Sequence, residues 1–197
     1  LDKNRRKPKL TIYQVFHCCK YIHTENQDRG AWCSLIVRQP NYFSTKKESK
    51  HSSYMISCIE NETNHIRIRL TSVLEVLKWI VTEDDETVLI ELVFSSTDVF
   101  IVNLLREWLD RWEKYFKRDI PDENDVGPPN QDLLKSIYLL VSKIKLSTVK
   151  WQSEKSIEMD NVVKKVNSLM DEINTNLKEQ EQEQNENFPQ TSFSNHE

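Results

Sequence analysis

The spacing of apolar residues changes partway along the chain, and this change constrains the fold more than any other feature of the sequence. The first part holds three short runs rich in β-branched and aromatic residues, namely Leu10–Tyr21, Ala31–Val37 and Ser53–Ile59. Polar stretches separate them, which is typical of strands joined by turns. Three such runs in succession predict an antiparallel meander.

After this meander, helical and strand patterns alternate. Apolar residues recur at helical spacing over Ile66–Ile80, Ile101–Phe116, Leu133–Ile144 and Met159–Ile173. Two short apolar runs, Val88–Phe94 and Leu146–Trp151, predict further strands. Asn130 is a candidate N-cap for the third of the helices. The order βββ-α-β-α-α-β-α predicts an α/β fold in which a mixed five-stranded sheet, three antiparallel strands and then two more, is flanked by helices.

The scarcity of glycine excludes the common nucleotide-binding loops. The chain has two glycines, Gly30 and Gly127, whereas a dinucleotide fingerprint or a P-loop needs several to let the backbone approach phosphate. Apolar runs also stay well short of the roughly 20 residues that span a bilayer. We therefore predict no nucleotide cofactor and no membrane association.

The cysteines and histidines do not show the spacing of a metal site. Cys18 and Cys19 are neighbours on a predicted strand and so point to opposite faces. No CxxC pair occurs among the four cysteines, and the five histidines show no ligand spacing. We predict no bound metal, and free thiols in a reducing compartment.

Charge divides the chain into three regions. Residues 1–9 are basic, residues 10–177 carry the apolar patterns, and residues 178–197 are rich in Glu, Gln and Asn. The basic start fits a nuclear localisation signal or a phosphate-binding arm, and fits a solvated interdomain linker slightly better. We expect a folded domain over 10–177, a disordered tail over 178–197, and an intracellular protein, nuclear in preference to cytoplasmic.

Four short segments, in order, resemble the ribonuclease H family over roughly residues 10 to 175. Arg29-Gly30-Ala31-Trp32 resembles the start of the family's second strand, and the stretch from Glu62-Thr63-Asn64 to Leu74-Glu75-Val76-Leu77 resembles its first helix. Trp108-Leu109-Asp110-Arg111-Trp112 is similar to its WLxxW segment, and Pro129-Asn130-Gln131-Asp132-Leu133 to the opening of its next helix. The resemblance implies a ribonuclease H-like sheet and a centre of four carboxylates that hold two divalent metal ions.

Most of those carboxylates are missing at the positions that the resemblance implies. The first-strand position falls on Val15, the first-helix position on Arg69 and the fourth-strand position on Thr97, with Asp98 one residue further on. The last-helix position falls on Asp160. We therefore predict a domain without nuclease activity, in which Arg69 forms an ion pair with Asp160 in place of the metals.

Without catalysis, the resemblance leaves two kinds of binding role. The leading one is a protein–protein interaction or scaffolding module within a larger protein or complex, with partner contacts through the aromatic residues Trp108, Trp112, Tyr115 and Phe116. The same rings could equally pack on the domain's own helices. The alternative is non-cleaving binding of a nucleic-acid duplex through Arg106, Arg111, Lys114, Lys117 and Arg118. Interspersed acidic residues weaken the field of that basic set.

Overall fold

Strands and helices follow one another in the order that the apolar spacing predicts. The computed structural model describes residues 10–24, 28–39, 52–83, 89–96, 99–117, 128–152 and 155–187, without the side chains at 110, 112, 114, 115, 181 and 184–187. The strands are β1 (Leu10–Ile22), β2 (Arg29–Gln39), β3 (Ser52–Asn61), β4 (Leu89–Ser96) and β5 (Lys145–Gln152). The helices are α1 (Arg67–Glu83), α2 (Phe100–Asn103), α3 (Leu109–Phe116), α4 (Gln131–Lys143) and α5 (Ile157–Asn187). A π-helical segment, Leu104–Trp108, joins α2 to α3, and we call this unit the bulged helix.

The five strands form one mixed sheet in the order β3-β2-β1-β4-β5. β1 pairs with β2, and β2 with β3, in antiparallel fashion, so the predicted meander is confirmed. β4 lies parallel to β1, and β5 parallel to β4, because α1 and then the bulged helix with α4 carry the chain back across the sheet. The predicted α/β class and mixed five-stranded sheet are therefore confirmed.

Each face of the sheet is covered by its own helices and has its own apolar core. On one face, Tyr13 and Val15 of β1 pack with Leu77 of α1 and with residues of β4, the bulged helix and α4. On the other face, Phe16 and Cys18 of β1 pack against α5. Alternate residues of a strand point to opposite faces. β1 is therefore buried on both sides, whereas β3 and β5 form the edges of the sheet.

Asn64 and Asn130 stand at the starts of α1 and α4, and one of the two caps its helix through its side chain. Asn64 Oδ1 accepts hydrogen bonds from the amides of Ile66 and Arg67, at 3.0 and 2.8 Å, and so caps the first turn of α1. Asn130 occupies the predicted N-cap position of α4, and its carbonyl oxygen accepts hydrogen bonds from the amides of Leu133 and Leu134. The predicted capping by its side chain is wrong. Asn130 has a left-handed backbone with φ of 57°, and its side chain makes no capping hydrogen bond. Its amide oxygen instead accepts a hydrogen bond from Arg67 Nη1, at 3.4 Å.

Arg67 and Asp132 form a two-pronged ion pair that joins α1 to α4. Nη2 lies 2.8 Å from Oδ2, and Nη1 lies 3.2 Å from Oδ1. Hydrogen bonds from Arg67 hold the pKa of the Asp132 carboxyl below its ordinary value. Both side chains are well exposed, at 39% and 59%, so solvent screens most of the attraction.

We predict a small stabilising effect for this pair that depends on pH. Asp132→Asn should lower the free energy of unfolding at neutral pH by less than about 1 kcal/mol, as exposed ion pairs do. Because the pKa of Asp132 is lowered in the folded state, the contribution is present above about pH 4 and disappears as the pH falls further. Urea titrations of both proteins at pH 7 and pH 3 measure this. A difference that grows in acid would contradict the prediction.

The last helix is longer than its apolar pattern indicates. α5 continues to Asn187, so the predicted loss of regular structure after residue 177 is wrong for residues 178–187. Beyond Leu177 the described side chains are exposed. One of them has a specific contact, because Arg29 Nη2 donates a hydrogen bond to Gln180 Oε1 at 3.1 Å. Residues 1–9 and 188–197 lie outside the described part.

None of the helices in the described part of the chain combines the length and apolar character needed to cross a bilayer.

Candidate functional site

The carboxyl end of β4 lies beside the middle of β1, at the point where the pairing of these two central strands stops. Because these strands are parallel, His17 of β1 is the register partner of Ser96 at the end of β4. In open α/β sheets, ligand sites form outside the carboxyl ends of parallel strands, where the direction of chain connection reverses. This is such a place, because β1 continues to β2 on one side and pairs with β4 on the other.

A buried histidine occupies the centre of this place. The side chain of His17 is 2% exposed, and those of Ser34 on β2 and Ser72 on α1 are fully buried. The Nδ1 atom of His17 lies 2.9 Å from Ser34 Oγ, and its Nε2 atom lies 3.5 Å from Ser72 Oγ. We call these three residues the histidine cluster. It links two strands and a helix that are far apart in the sequence.

The hydrogen-bond directions in the cluster follow from the number of protons available. Ser72 has one hydroxyl proton, and its Oγ donates a hydrogen bond to the carbonyl oxygen of Arg69 at 2.8 Å. Ser72 can therefore only accept from His17, which makes Nε2 the protonated nitrogen. In a neutral ring Nδ1 then accepts from the Ser34 hydroxyl.

Arg69 lies one helical turn before Ser72, beside the end of β4. Its guanidinium carbon stands 5.4 Å from the centroid of the Phe100 ring, which is within the range of a cation–π contact. The ion pair that we predicted with Asp160 is absent from this structure. Asp160 is exposed in the first turn of α5, where its amide donates to the Ser156 carbonyl. An exposed acidic side chain in the first turn interacts favourably with the positive end of the helix dipole.

The other positions that the resemblance implies fall in different surroundings. Val15 is fully buried in the apolar core under α1, two residues before His17 and on the same face of β1. His17, and not Val15, is thus the polar residue of β1 at the end of β4. Thr97 and Asp98 lie outside the described residues. Sequence reasoning missed the histidine cluster, although polar residues at inward-facing positions of apolar strands were the available signal.

The side chains described at this place do not fit a pair of divalent metal ions. Mg²⁺ requires oxygen ligands, mainly carboxylates and water, whereas the cluster offers an imidazole and two hydroxyls that already bond to one another. At the first-helix position, where the resemblance implies a carboxylate, the chain carries the cation Arg69. Within the described residues, no three His, Cys, Asp or Glu side chains are grouped so that they could hold a metal ion.

The cysteines on β1 and β2 are packed thiols. Cys18 and Cys33 are register partners and both contribute to the core under α5. Burial raises the pKa of Cys33 to about 11 and also raises that of Cys18. Since the thiolate is the reactive form, these two thiols are poor nucleophiles and poor metal ligands.

The aromatic residues proposed as partner contacts pack on the domain where they are described. Trp108 is partly buried and meets the Phe100 ring edge-on, with ring centroids 5.1 Å apart. Phe116 is also partly buried, and its ring centroid lies 5.5 Å from that of Tyr138. These contacts favour the intramolecular interpretation for both rings. The side chains of Trp112 and Tyr115 lie outside the described part.

The basic residues of the bulged helix do not form one continuous positive surface. Arg106 and Arg111 are exposed. Lys117, in contrast, lies 2.6 Å from the carboxylate of Glu113, which holds the pKa of that carboxyl below its ordinary value. The side chain of Lys114 and all of Arg118 fall outside the description. The described cations are therefore partly neutralised.

Comparison with known proteins identifies the class of fold. The chain is similar to the crystal structure of LC9-RNase H1, a type 1 RNase H with the type 2 active-site motif, at a TM-score of 0.57 and 14% identity over 84% of this chain and 74% of that one. A second similar structure is RNase H1 from Halobacterium salinarum, at a TM-score of 0.42 and 10% identity over 74% of this chain and 86% of that one. No family model and no curated protein matches. The chain has a ribonuclease H-like fold.

Proposed function

We propose that this chain is a non-catalytic ribonuclease H-like domain that acts as a protein–protein interaction or scaffolding module within a larger protein or complex. The observation that supports it is the histidine cluster. Two residues beyond Val15, the β1 position where the resemblance implies a metal-binding carboxylate, the structure has His17 in hydrogen-bonding reach of two hydroxyls and closed off from solvent.

Electrostatics supports the loss of catalysis. Two like unit charges about 4 Å apart near a protein surface repel by about 4 kcal/mol. A dication about 4 Å from the Arg69 guanidinium would meet about twice that cost, and within the described residues no three His, Cys, Asp or Glu side chains are grouped so that they could hold a metal ion. The metal-dependent chemistry that the fold is associated with therefore has little support from these side chains.

We predict no cleavage of an RNA–DNA hybrid by the purified full chain in Mg²⁺ or Mn²⁺. The physical reason is that Val15 and Arg69 stand where the resemblance implies metal-binding carboxylates. Product release from an end-labelled hybrid, compared with buffer and with an active ribonuclease H, measures this. Asp160→Asn serves as the matched variant. Hydrolysis by the wild type that this variant abolishes would contradict the proposal.

Exposed apolar side chains support the binding half of the proposal. Both edge strands carry them, with Tyr54 and Met55 of β3 at 48% and 43% exposure and Trp151 of β5 at 43%. Leu139 of α4 is 51% exposed. A partner that covers an edge of the sheet would bury the apolar side chains on that edge. The aromatic side chains Trp108 and Phe116, which face inward, contribute less to this argument.

Non-cleaving nucleic-acid binding is the second candidate, and the exposure of Arg106 and Arg111 is the observation in its favour. Duplex binding through phosphate contacts weakens steeply as salt rises, and each phosphate neutralised steepens the dependence. Titration of a labelled RNA–DNA hybrid at low and physiological salt separates the candidates. Tight, salt-sensitive binding that Arg111→Glu weakens would favour nucleic acid over a protein partner.

A further inference from the structure

A groove runs along the outer side of β5, at one edge of the sheet. It has a volume of about 760 Å³ and lies between β5, the π-helical segment and α4. Its apolar floor consists of Leu105, Val141, Leu146, Val149 and Trp151. None of the residues that line this groove belongs to the histidine cluster.

The strand that borders this groove is open for pairing. Among the described strands, β5 is the last of the sheet and has β4 as its one neighbour, and seven of its eight residues are exposed or half-buried. An edge strand offers a row of backbone donors and acceptors to an added strand. Ser147 lies at a register shift and donates a side-chain hydrogen bond to the Ile90 carbonyl at 2.9 Å, which keeps β5 attached to β4.

The π-helical segment directs a cation to the same groove. Leu105 and Arg106 both belong to this segment and both line the groove. π-Bulges in helices occur frequently at functional sites. Arg106 is exposed, and in the described part of the chain it has no ion-pair partner.

The charge around the groove is positive and only partly balanced. Lys150 lies 2.9 Å from the Glu91 carboxylate, and this contact holds the pKa of Glu91 below its ordinary value. The charge of Arg106 has no ion-pair partner in the described part of the chain, and no acidic side chain is among the described residues that line the groove. A ligand with carboxylates would complement it. This is notable in a chain whose formal net charge is −4.

We propose that an extended, acidic peptide segment of a partner protein docks in this groove by adding a strand to the free edge of β5. The peptide's backbone pairs with β5, its apolar side chains contact Trp151 and the floor, and a carboxylate pairs with Arg106. The proposal rests on the proposed function, of which it specifies the partner chemistry and the surface.

Two other occupants fit the groove less well. A second copy that paired β5 with β5 across a twofold axis would bring Arg106 and Lys150 of both copies to one interface, where like charges repel. A nucleic-acid strand needs a track of several cations, whereas the described lining has two, one of them already paired. An acidic peptide satisfies the backbone edge, the apolar floor and the charge together.

The test uses the full chain and synthetic peptides of the length of β5, eight residues. The probe is an N-acetylated, fluorescein-labelled peptide that alternates valine and glutamate. A valine–lysine peptide tests the charge, and a valine–glutamate peptide with alternate N-methylated amides tests the backbone pairing. We expect the first to bind with a Kd below about 1 mM in fluorescence anisotropy, and both others to lose this binding.

Arg106→Glu should weaken binding of the valine–glutamate peptide by about tenfold or more. Arg111→Glu is the matched control, since it makes the same charge change on the same helix outside the groove lining and should leave binding unchanged. Thermal melting shows whether each variant is folded. The peptide should also slow hydrogen exchange of amides in β5 and not in β3, which a structural effect of Arg106 would not produce.

Several outcomes overturn the proposal. The first two are the absence of saturable binding at about 1 mM peptide and equal binding of the N-methylated peptide. The third is an equal loss of peptide binding in the Arg106→Glu and Arg111→Glu variants. The fourth is self-association of the chain in sedimentation that accounts for the slowed hydrogen exchange of β5. Preferential binding of an oligonucleotide that depends on Arg106 overturns it in favour of nucleic acid. Failure here leaves the proposed function standing, because hybrid cleavage and the salt-dependent hybrid titration test it separately.

Discussion

Gly30→Ala is expected to destabilise the domain by about 3 kcal/mol, at the upper end of what overpacking a core costs. A Cβ atom at this position would stand 2.4 Å from Ile68 Cδ1 and 2.8 Å from the Lys20 carbonyl oxygen. Ile68 is 1% exposed and so has little room to move, and the carbonyl belongs to β1, next to β2 in the sheet. Glycine thus permits α1 to pack against the β1–β2 pair.

Urea unfolding of Gly30→Ala, Ile68→Val and the double variant measures this effect. Ile68→Val removes the Cδ1 atom and alone should cost about 1 kcal/mol. In the double variant the clash with that atom is gone, so the total loss should be smaller than the sum of the two single losses. Recovery should be partial, because the Lys20 carbonyl remains too close. Strict additivity would show that α1 does not approach β2 as described.

The period of the apolar residues predicts most of the fold because it reflects local geometry. It locates every strand of the sheet and the helices between them to within a few residues, and the alternation along β1 is that of a central strand. It fails at the end of α5, where the helix continues beyond Leu177 without an apolar stripe. The Arg29–Gln180 hydrogen bond joins residues far apart in sequence, and a local pattern contains no information about it.

Local pattern also fails at Asn130, for a related reason. The residue type and its place before an apolar run are those of an N-cap, and capping requires an extended backbone at that residue. The backbone is left-handed instead, and the side chain is drawn to Arg67 of α1. This contact between α1 and α4 joins residues that are 63 positions apart in the sequence, and a local pattern contains no information about it.

The sequence predicts where the candidate site lies, but it does not predict which side chains form it. Comparison of motifs directs attention to the middle of β1 and to α1, which is the correct neighbourhood. The motifs imply carboxylates, however, and they assign the metal-binding position of the first strand to Val15, a core residue. The histidine cluster depends on contacts that span 17 and 55 residues of sequence. Ser34 and Ser72 are ordinary residues until the fold brings them to His17.

The second large effect is expected at this cluster, where His17→Ala should lower the free energy of unfolding by about 3 kcal/mol. The substitution leaves a cavity in a closed site and removes the partner of the Ser34 hydroxyl and of Ser72, both fully buried. A buried polar group without a partner costs about 1–3 kcal/mol. Urea titration measures the loss, and His17→Phe shows whether filling the space alone restores stability.

A double-mutant cycle with Ser34→Ala separates hydrogen bonding from packing. Removing both partners leaves no unsatisfied group between them, so His17→Ala with Ser34→Ala should cost less than the sum of the single changes. Additive losses would show that the 2.9 Å contact contributes nothing. If the cluster is structural, His17→Ala at a temperature where it remains folded should bind the valine–glutamate peptide like the wild type. Loss of peptide binding in a folded His17→Ala protein would instead couple the cluster to the groove at β5, and the middle of β1 would then be part of the binding function.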